Sequence, residues 1–439
     1  MGNKQIWSIS YPILLSLLAQ NIINVTDTAF LGRVGEVELG ASALGGLFYI
    51  CAYTLAFGFS TGSQILMARR NGEKHYSQVG SVMIQGGFFL LGLAAVLFLF
   101  MRFGSGPLLR AFISSDIIRE ATLGFLHIRI FGFFFSFINV LFRAFYVAIT
   151  RTKVLTINAI LMACTNIVLD YIFIFGHAGL PAMGLTGAAL ASVIAEAVSI
   201  LFFFIYTRFT VDSKKYGLNR LYSFNIAMLK RILNISVFMM LQQFISMSTF
   251  FFFFIAVEHI GQRELAIANI VRSIYIVLFI PVNALSTTAN TLVSNAIGAG
   301  NSFQVIPIIR RIAVLSFSVM LLFASMFCLF PQTFLSVYTN DISLITGSIP
   351  AIYVIAGAVL ICAVSNVIFN GVSGTGNTRP ALLMELIALV FYCLYIYIIG
   401  IELKMPVHVC FTSELLYFGL LLLLSSLYLK QGKWKGKAI

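Results

Sequence analysis

The chain has 439 residues, of which 60% are hydrophobic and only 10% are charged, whereas an average soluble protein is about 25% charged. This composition excludes a water-soluble fold. The net charge of +13 does not indicate a nucleic-acid partner, because Lys and Arg are scattered between apolar segments instead of forming one basic stripe. Neither a paired-cysteine spacing nor a nucleotide-binding or metalloprotease motif is present, so we expect no cofactor and no enzymatic activity.

Apolar stretches long enough to cross the roughly 30 Å hydrocarbon core recur along nearly the whole chain. They predict an all-α integral membrane protein with about twelve transmembrane helices, the first being a retained span from Trp7 to Leu31. The longest polar stretch, residues 210–231, predicts a cytoplasmic linker between an N-terminal six-helix lobe (1–209) and a C-terminal six-helix lobe (232–439).

Most Lys and Arg residues lie in alternate loops, and cytoplasmic loops carry an excess of these residues. Both termini are therefore expected on the cytoplasmic side of a multi-pass protein of the cell inner (plasma) membrane, embedded in the lipid bilayer. We also expect a monomer.

The chain is similar to itself at an offset of 226 residues. This offset places Ser60 and Thr61 on Ser286 and Thr287, and Thr152 on Thr378. A single gap-free offset predicts an internal duplication. Because each half holds an even number of spans, the two six-helix bundles are predicted to be parallel repeats.

Acidic residues within the predicted spans are the main functional signal, because intramembrane acids are costly and usually functional. Asp27 shares a helix face with Gln20 and Asn24 at i, i+4 and i+7, and Asp170 shares a face with Asn166. The two acids lie at similar depth. Close carboxylates repel each other and can take up a proton near neutral pH; with the Asn166 oxygen they are also suited to a Na⁺ ion. The alternative is that each Asp only bonds a neighbouring helix.

Other residues in the spans have two interpretations each. Pro12 predicts a bend in the first helix, unless it lies in the first helical turn. Glu196, beside a stripe of small residues, is either a coupling accessory or a buried hydrogen-bond partner. The seventh span carries Met239, Gln243 and Met247, which predict either a substrate-cavity wall or lipid-facing packing.

Two further acids are not expected to take part in ion coupling. Glu385 and Glu414 lie near opposite ends of their predicted spans, where solvation at the membrane interface costs little. We interpret both as interfacial residues.

Several motifs together resemble the multidrug and toxic compound extrusion (MATE) family, within it the DinF-like branch, over nearly the whole chain. They are Pro12, Asn24-Val-Thr-Asp27-Thr, Asn166-x-x-x-Asp170, Gly184-x-x-Gly-Ala-Ala-x-Ala-Ser192 and Gly374-Thr-Gly-Asn-Thr-Arg379. The resemblance implies a V-shaped pair of six-helix bundles and alternating access. It also implies export of organic cations or other amphipathic compounds by antiport with H⁺ or Na⁺.

The resemblance also assigns residue roles. It implies that Asp27, Asn166 and Asp170 form the cation site of the N-terminal lobe, with Gln20 alongside and Ser192 where a Thr is often found. One departure is that the seventh span offers Gln243, and the tenth span no acid, where NorM-type relatives have an acidic pair. Coupling through the C-terminal lobe is therefore in doubt.

The alternative function is a flippase for a lipid-linked oligosaccharide or another anionic lipid. It requires cationic groups that face a cavity and bind phosphate. The candidates are Arg129, Arg143 and Arg272, which lie within the predicted spans.

Overall fold

A computed structural model describes residues 2–220, 222–436 and 439, and these residues form helices joined by short connections, without strands. Leu221 of the predicted linker lies outside the described residues, as do Met1, Lys437 and Ala438 of the two predicted lobes. The helices of the first half are α1 (Asn3–Val34), α2 (Glu36–Gly72), α3 (Tyr76–Phe112), α4 (Asp116–Arg129), α5 (Gly132–Ala148), α6 (Lys153–Phe175) and α7 (Gly184–Thr210).

The second half repeats long apolar helices, with short helical pieces near its end. A π-helical turn, Tyr397–Glu402, directly follows the helix Thr378–Ile396. The helices are α8 (Ile226–Glu258), α9 (Gln262–Gly298), α10 (Val305–Leu329), α11 (Pro331–Leu335), α12 (Ile342–Gly374), α13 (Thr378–Ile396), α14 (Val407–Cys410) and α15 (Thr412–Gln431).

The number of membrane-spanning segments agrees with the sequence prediction. By length and composition, 11 helical segments among the described residues are able to cross a membrane, or 12 when α4 and α5 count as one span bent by 55°. The prediction of an all-α membrane protein with about twelve spans is confirmed. The bend between α4 and α5 was not predicted from sequence.

Local sequence explains where several helices begin and end. Asp341 caps α12, because its Oδ1 accepts hydrogen bonds from the backbone N–H groups of Ser343 (2.8 Å) and Leu344 (3.4 Å). Gly176 ends α6 with a φ of 75°, a left-handed conformation that suits glycine. Helix α1 continues through Pro12, and the Thr156 hydroxyl of α6 donates to the Pro12 carbonyl at 3.0 Å.

The chain separates into two compact units, which we call unit N (Tyr11–Met240) and unit C (Met1–Ser10 with Leu241–Ile439). In unit N, α2 packs along α3, α4 and α5, while α6 packs along α7. In unit C, α12 is central and packs against α9, α10 and α15. Its buried apolar side chains, including Ile355 and Val359, belong to a core shared with α9 and α15.

Candidate functional site

Unit N contains a cavity of about 670 Å³ lined by α1, α2 and the helices α4 to α7. Aromatic side chains such as Tyr49, Tyr53 and Phe203 form part of its wall. The predicted site residues that line it are Gln20, Asn24, Asp27, Asn166, Ser192 and Glu196. Five of the six predicted ion-coupling residues therefore face one space, and the sixth, Asp170, lies beside the Asn166 amide.

Asp27 of α1 and Asp170 of α6 form a carboxyl pair. Their carboxyl groups lie close together, because the Asn166 amide is within hydrogen-bonding distance of an oxygen of each. Two ionised carboxylates at such short range repel each other, so binding of a proton or another cation stabilises the pair. Asp170 is fully buried and Asp27 is partly exposed to the cavity. The pair is therefore reachable from the cavity through Asp27.

Asn166 connects this pair to α7. In the amide orientation that satisfies its neighbours, the Asn166 side-chain nitrogen lies 3.0 Å from Asp27 Oδ1 and 3.3 Å from Asp170 Oδ2. The other end of the amide lies 3.4 Å from Ser192 Oγ, so the Ser192 hydroxyl donates to it. One buried oxygen, Asp170 Oδ1, has no hydrogen-bond partner.

The spacing of these residues explains why they meet. Asn166 and Asp170 are four residues apart on α6 and so share one helix face. On α7, Gly187, Ala188 and Ala191 are small and buried, and a Cβ on Gly187 would lie 2.8 Å from the Phe173 backbone. Small residues allow close helix approach, which brings Ser192 to the Asn166 amide.

A second charged group in the same cavity is an ion pair that sequence analysis did not identify. The Arg129 guanidinium donates to both oxygens of Glu196, at 2.9 Å and 2.7 Å. It also lies over the Tyr49 ring, 3.7 Å from the centroid, and the Tyr49 hydroxyl donates to Glu196 at 3.2 Å. Glu196 thus has the buried hydrogen-bond partner that was one of its two interpretations.

The bend between α4 and α5 creates the space for this ion pair. Gly132 is the first residue of α5, and a Cβ there would collide with the Arg129 guanidinium and lie 2.5 Å from Glu196 Oε2. The absence of a side chain at this position leaves room for the tips of both charged groups, which are held in place by their ion pair. The broken span therefore has a packing role at the cavity wall.

Arg143 of α5 lines the cavity and differs from Arg129 in having no carboxylate at ion-pair distance within the described part of the chain. Its guanidinium lies 5.6 Å from the Phe57 ring centroid. Arg272 belongs to unit C and packs over Phe254, at 4.8 Å. Of the three arginines considered for binding an anionic lipid, one is thus neutralised by Glu196 and one is in the other unit, so the flippase alternative is not favoured.

The remaining predicted residues do not line this cavity. Met239 is buried within unit N, while Gln243 and Met247 are partly buried residues of unit C. Pro12 is buried against α6 through its carbonyl. Among the described residues, no group of three or more His, Cys, Asp or Glu side chains is placed to hold a metal ion.

A multi-pass helical fold with an apolar and aromatic cavity that contains a few charged groups is typical of a membrane transporter. The chain belongs to the MatE family: the family model matches residues 12–172 and again 239–398. The two segments begin 227 residues apart (239 − 12) and end 226 apart (398 − 172), which agrees with the predicted 226-residue repeat. Members of this family are transporters and not enzymes, and they need no cofactor.

Named relatives are similar to this chain. A probable multidrug resistance protein NorM from Agrobacterium fabrum is 28% identical over 212 residues, which is 47% of this chain and 44% of the relative. A probable NorM from Thermotoga maritima is 24% identical over 99% of this chain and 94% of the relative. The match thus covers less than half of the first relative and nearly all of the second.

The fold is similar to that of a solved MOP superfamily transporter from Pyrococcus furiosus. The TM-score is 0.90 at 20% sequence identity, over 99% of this chain and 97% of the other. At this identity the similarity concerns the fold alone.

Proposed function

We propose that the chain is a secondary active antiporter that exports organic cations or other amphipathic compounds by alternating access, driven by H⁺ or Na⁺ influx. The observation that carries the proposal is the Asp27–Asp170 contact in the cavity wall. Within the described residues, neither carboxylate has an Arg or Lys at ion-pair distance. Without a bound cation the two negative charges would repel each other at low dielectric.

The coupling follows from this repulsion. A proton or Na⁺ that binds from outside removes the repulsion and stabilises the contact between α1 and α6. Its release to the cytoplasm restores the repulsion and favours separation of the two side chains. A ligand shifts the equilibrium between two conformations only if it binds one of them more tightly. A cation binds more tightly when the two carboxylates are in contact than when they are apart, and it therefore favours the state with the contact.

Asn166 is suited to either ion. With its nitrogen toward the two carboxylates it donates to the pair, which suits H⁺ as the coupling ion; rotation of the amide would present the oxygen that a Na⁺ ion needs. We propose H⁺ as the coupling ion and retain Na⁺ as the alternative, with Asp27, Asn166 and Asp170 as its ligands.

The cavity supports an amphipathic substrate. Its volume of about 670 Å³ lies within the range of about 300–1,000 Å³ typical of small-molecule sites. Apolar and aromatic walls surround a few polar groups, and Asp27 offers a negative charge to a cationic substrate. Asn24 and Gln20, about one and two helical turns before Asp27, line the same cavity and are available for hydrogen bonds to the substrate.

The proposed oligomeric state, membrane topology and division into lobes rest on the sequence. We propose a monomer of the DinF-like branch in the inner membrane, with both termini cytoplasmic. Its two six-helix lobes (1–209 and 232–439) are joined by a cytoplasmic linker (210–231). Bending of α1 at Pro12 is proposed to accompany the change of state, and Met239, Gln243 and Met247 are proposed to contact substrate in another state of the cycle.

The test is transport of a fluorescent cationic dye in proteoliposomes that carry either a pH gradient or a Na⁺ gradient. The pH gradient alone is expected to drive dye movement in the wild type. Dye movement driven only by the Na⁺ gradient would identify Na⁺ as the coupling ion in place of H⁺. Absence of dye movement under both gradients would contradict the antiporter proposal. Asp341→Asn is the matched control, because this exposed residue caps α12 and Asn caps a helix equally well.

A further inference from the structure

Unit C contains two carboxyl groups that the proposed function does not use, Glu385 of α13 and Glu414 of α15. Sequence analysis placed both at the membrane interface. The side chain of Glu385 is buried by protein, with 3% exposure, so it lacks the solvation that this interpretation assumed. The neighbouring helices cover it, which its position near the start of a predicted span did not show.

Hydrogen-bond donors surround Glu385. The Ser246 hydroxyl donates to Glu385 Oε1, and the Tyr417 hydroxyl donates to the same oxygen at 3.2 Å. Gln242 lies beside Glu385 and is more than nine-tenths buried, at 7% exposure. Two buried acceptors of this group have no hydrogen-bond partner, Glu385 Oε2 and Gln242 Oε1. A proton on Glu385 Oε2 would convert one of these acceptors into a donor.

Glu414 is held in a similar way. The Tyr392 hydroxyl donates to Oε1 at 3.3 Å, and the Tyr275 hydroxyl donates to Oε2 at 3.4 Å. The rings of Tyr392 and Tyr417 pack edge to face with centroids 6.0 Å apart, which places the two carboxyl sites side by side. We call this group the tyrosine cage; it consists of Glu385, Glu414, Tyr275, Tyr392, Tyr417, Ser246 and Gln242.

No positive charge neutralises the cage. Among the described residues, neither glutamate has a Lys, Arg or His at ion-pair distance. Arg272, on the same helix as Tyr275, packs over the Phe254 ring instead. The other titratable groups that influence the cage electrostatically are thiols, namely Cys362 of α12 and Cys393 of α13.

A buried carboxylate without a counter-charge is strongly unfavourable, and such a group normally becomes neutral. The cage nonetheless supplies several donors to each carboxyl group, and donors stabilise the ionised form. Burial favours the neutral carboxyl group and the donors favour the ionised one, so the cage can accommodate a carboxyl group in either protonation state. Glu414 is partly exposed, whereas Glu385 is buried.

We propose that the tyrosine cage is a second proton-binding site, centred on Glu385, whose proton is carried in each transport cycle in addition to the one at the Asp27–Asp170 pair. The proposal concerns a site in unit C. It is separate from the coupling site of the proposed function, which lies wholly in unit N.

The first test does not depend on transport activity. Infrared spectroscopy of the purified protein detects the C=O stretch of a protonated carboxyl group. Because the Asp27–Asp170 pair contributes a band of its own, the Glu385 band is taken as the component of the wild-type spectrum at neutral pH that is lost in Glu385→Gln. We expect this component to remain in Asp27→Asn and in the exposed control Glu402→Gln. Tyr417→Phe, which removes one donor and keeps the ring, is expected to shift the band. A band unchanged in both Glu385→Gln and Tyr417→Phe would overturn the proposal.

The same measurement separates a proton from Na⁺. Replacement of choline chloride by NaCl at constant pH is expected to leave the Glu385 band unchanged. Disappearance of the band in NaCl would overturn the assignment of a proton and identify a Na⁺ site instead.

The second test measures how many protons move with each substrate, from the membrane potential at which net transport reverses. We expect Glu385→Gln to carry one proton fewer per substrate than the wild type while still showing gradient-driven transport. An unchanged ratio would overturn the second site. Failure of the proposed function would give a different result. Asp27→Asn would then show normal gradient-driven transport, whatever the number of protons per substrate in Glu385→Gln.

Discussion

The buried glutamates of units N and C have opposite electrostatic surroundings. Glu196 in unit N is bound by both arms of the Arg129 guanidinium, whereas Glu385 in unit C has only neutral donors. The same side chain is therefore an ion-pair partner in one unit and, in our proposal, a proton-binding group in the other. Burial alone does not separate these two roles, whereas the charge of the neighbouring side chains does.

The largest effect is expected when the ion pair loses one partner. Arg129→Gln leaves Glu196 buried without a counter-charge, which costs about 3–5 kcal/mol and should lower the melting temperature in detergent markedly. The double variant Arg129→Gln with Glu196→Gln should recover most of this stability.

The matched control for this change lies on the same helix. Arg119 pairs with Asp116, which is 78% exposed, and exposed pairs contribute about 0–1 kcal/mol. Arg119→Gln should therefore change the melting temperature little. A decrease in melting temperature as large as that of Arg129→Gln would mean that burial does not determine how much the two ion pairs contribute to stability.

Gly132→Ala is expected to have the next largest effect. The added methyl group collides with the Arg129 guanidinium, and overpacking costs about 1–3 kcal/mol. Thermal unfolding measures the loss. Gly106→Ala in α3, where a Cβ meets no atom within 4 Å, is the control and should not be destabilised.

Asn166→Leu sharpens the comparison at the carboxyl pair. It removes a donor that lies 3.0 Å and 3.3 Å from two carboxyl groups, and hydrogen bonds to charged groups are worth about 1.5–3 kcal/mol. Gradient-driven transport should fall about tenfold or more while the protein remains folded. Transport at the wild-type rate would mean that Asn166 does not orient the pair.

The smallest effect is expected for Ser192→Ala. Its hydroxyl contacts Asn166 at 3.4 Å, which is a long hydrogen bond, and a neutral hydrogen bond contributes about 1 kcal/mol. Transport should fall no more than about fivefold in the same dye assay. A complete loss would show that Ser192 binds the ion directly.

Much of the coupling site was predictable because its signals are local. Gln20, Asn24 and Asp27 form a stripe on one helix, and Asn166 and Asp170 are one turn apart on another, so helical periodicity alone groups them. The repeat offset of 226 residues is also readable without a structure. The family resemblance then related the two helices to each other.

Other features depend on contacts that are remote in sequence. Arg129 and Glu196 are 67 residues apart, and their contact requires the bend between α4 and α5 together with a glycine at position 132. Glu385 receives a hydrogen bond from Ser246, which is 139 residues away. Its burial follows from the packing of neighbouring helices, which a hydropathy pattern of α13 alone does not contain.

The central claim, that the Asp27–Asp170 pair couples ion influx to export, is tested most directly by comparing two activities in the same proteoliposomes. One is exchange of labelled for unlabelled substrate without a gradient, and the other is accumulation driven by a pH gradient. We predict that Asp27→Asn and Asp170→Asn retain measurable exchange but lose accumulation. Accumulation at the wild-type level in either variant would contradict the account.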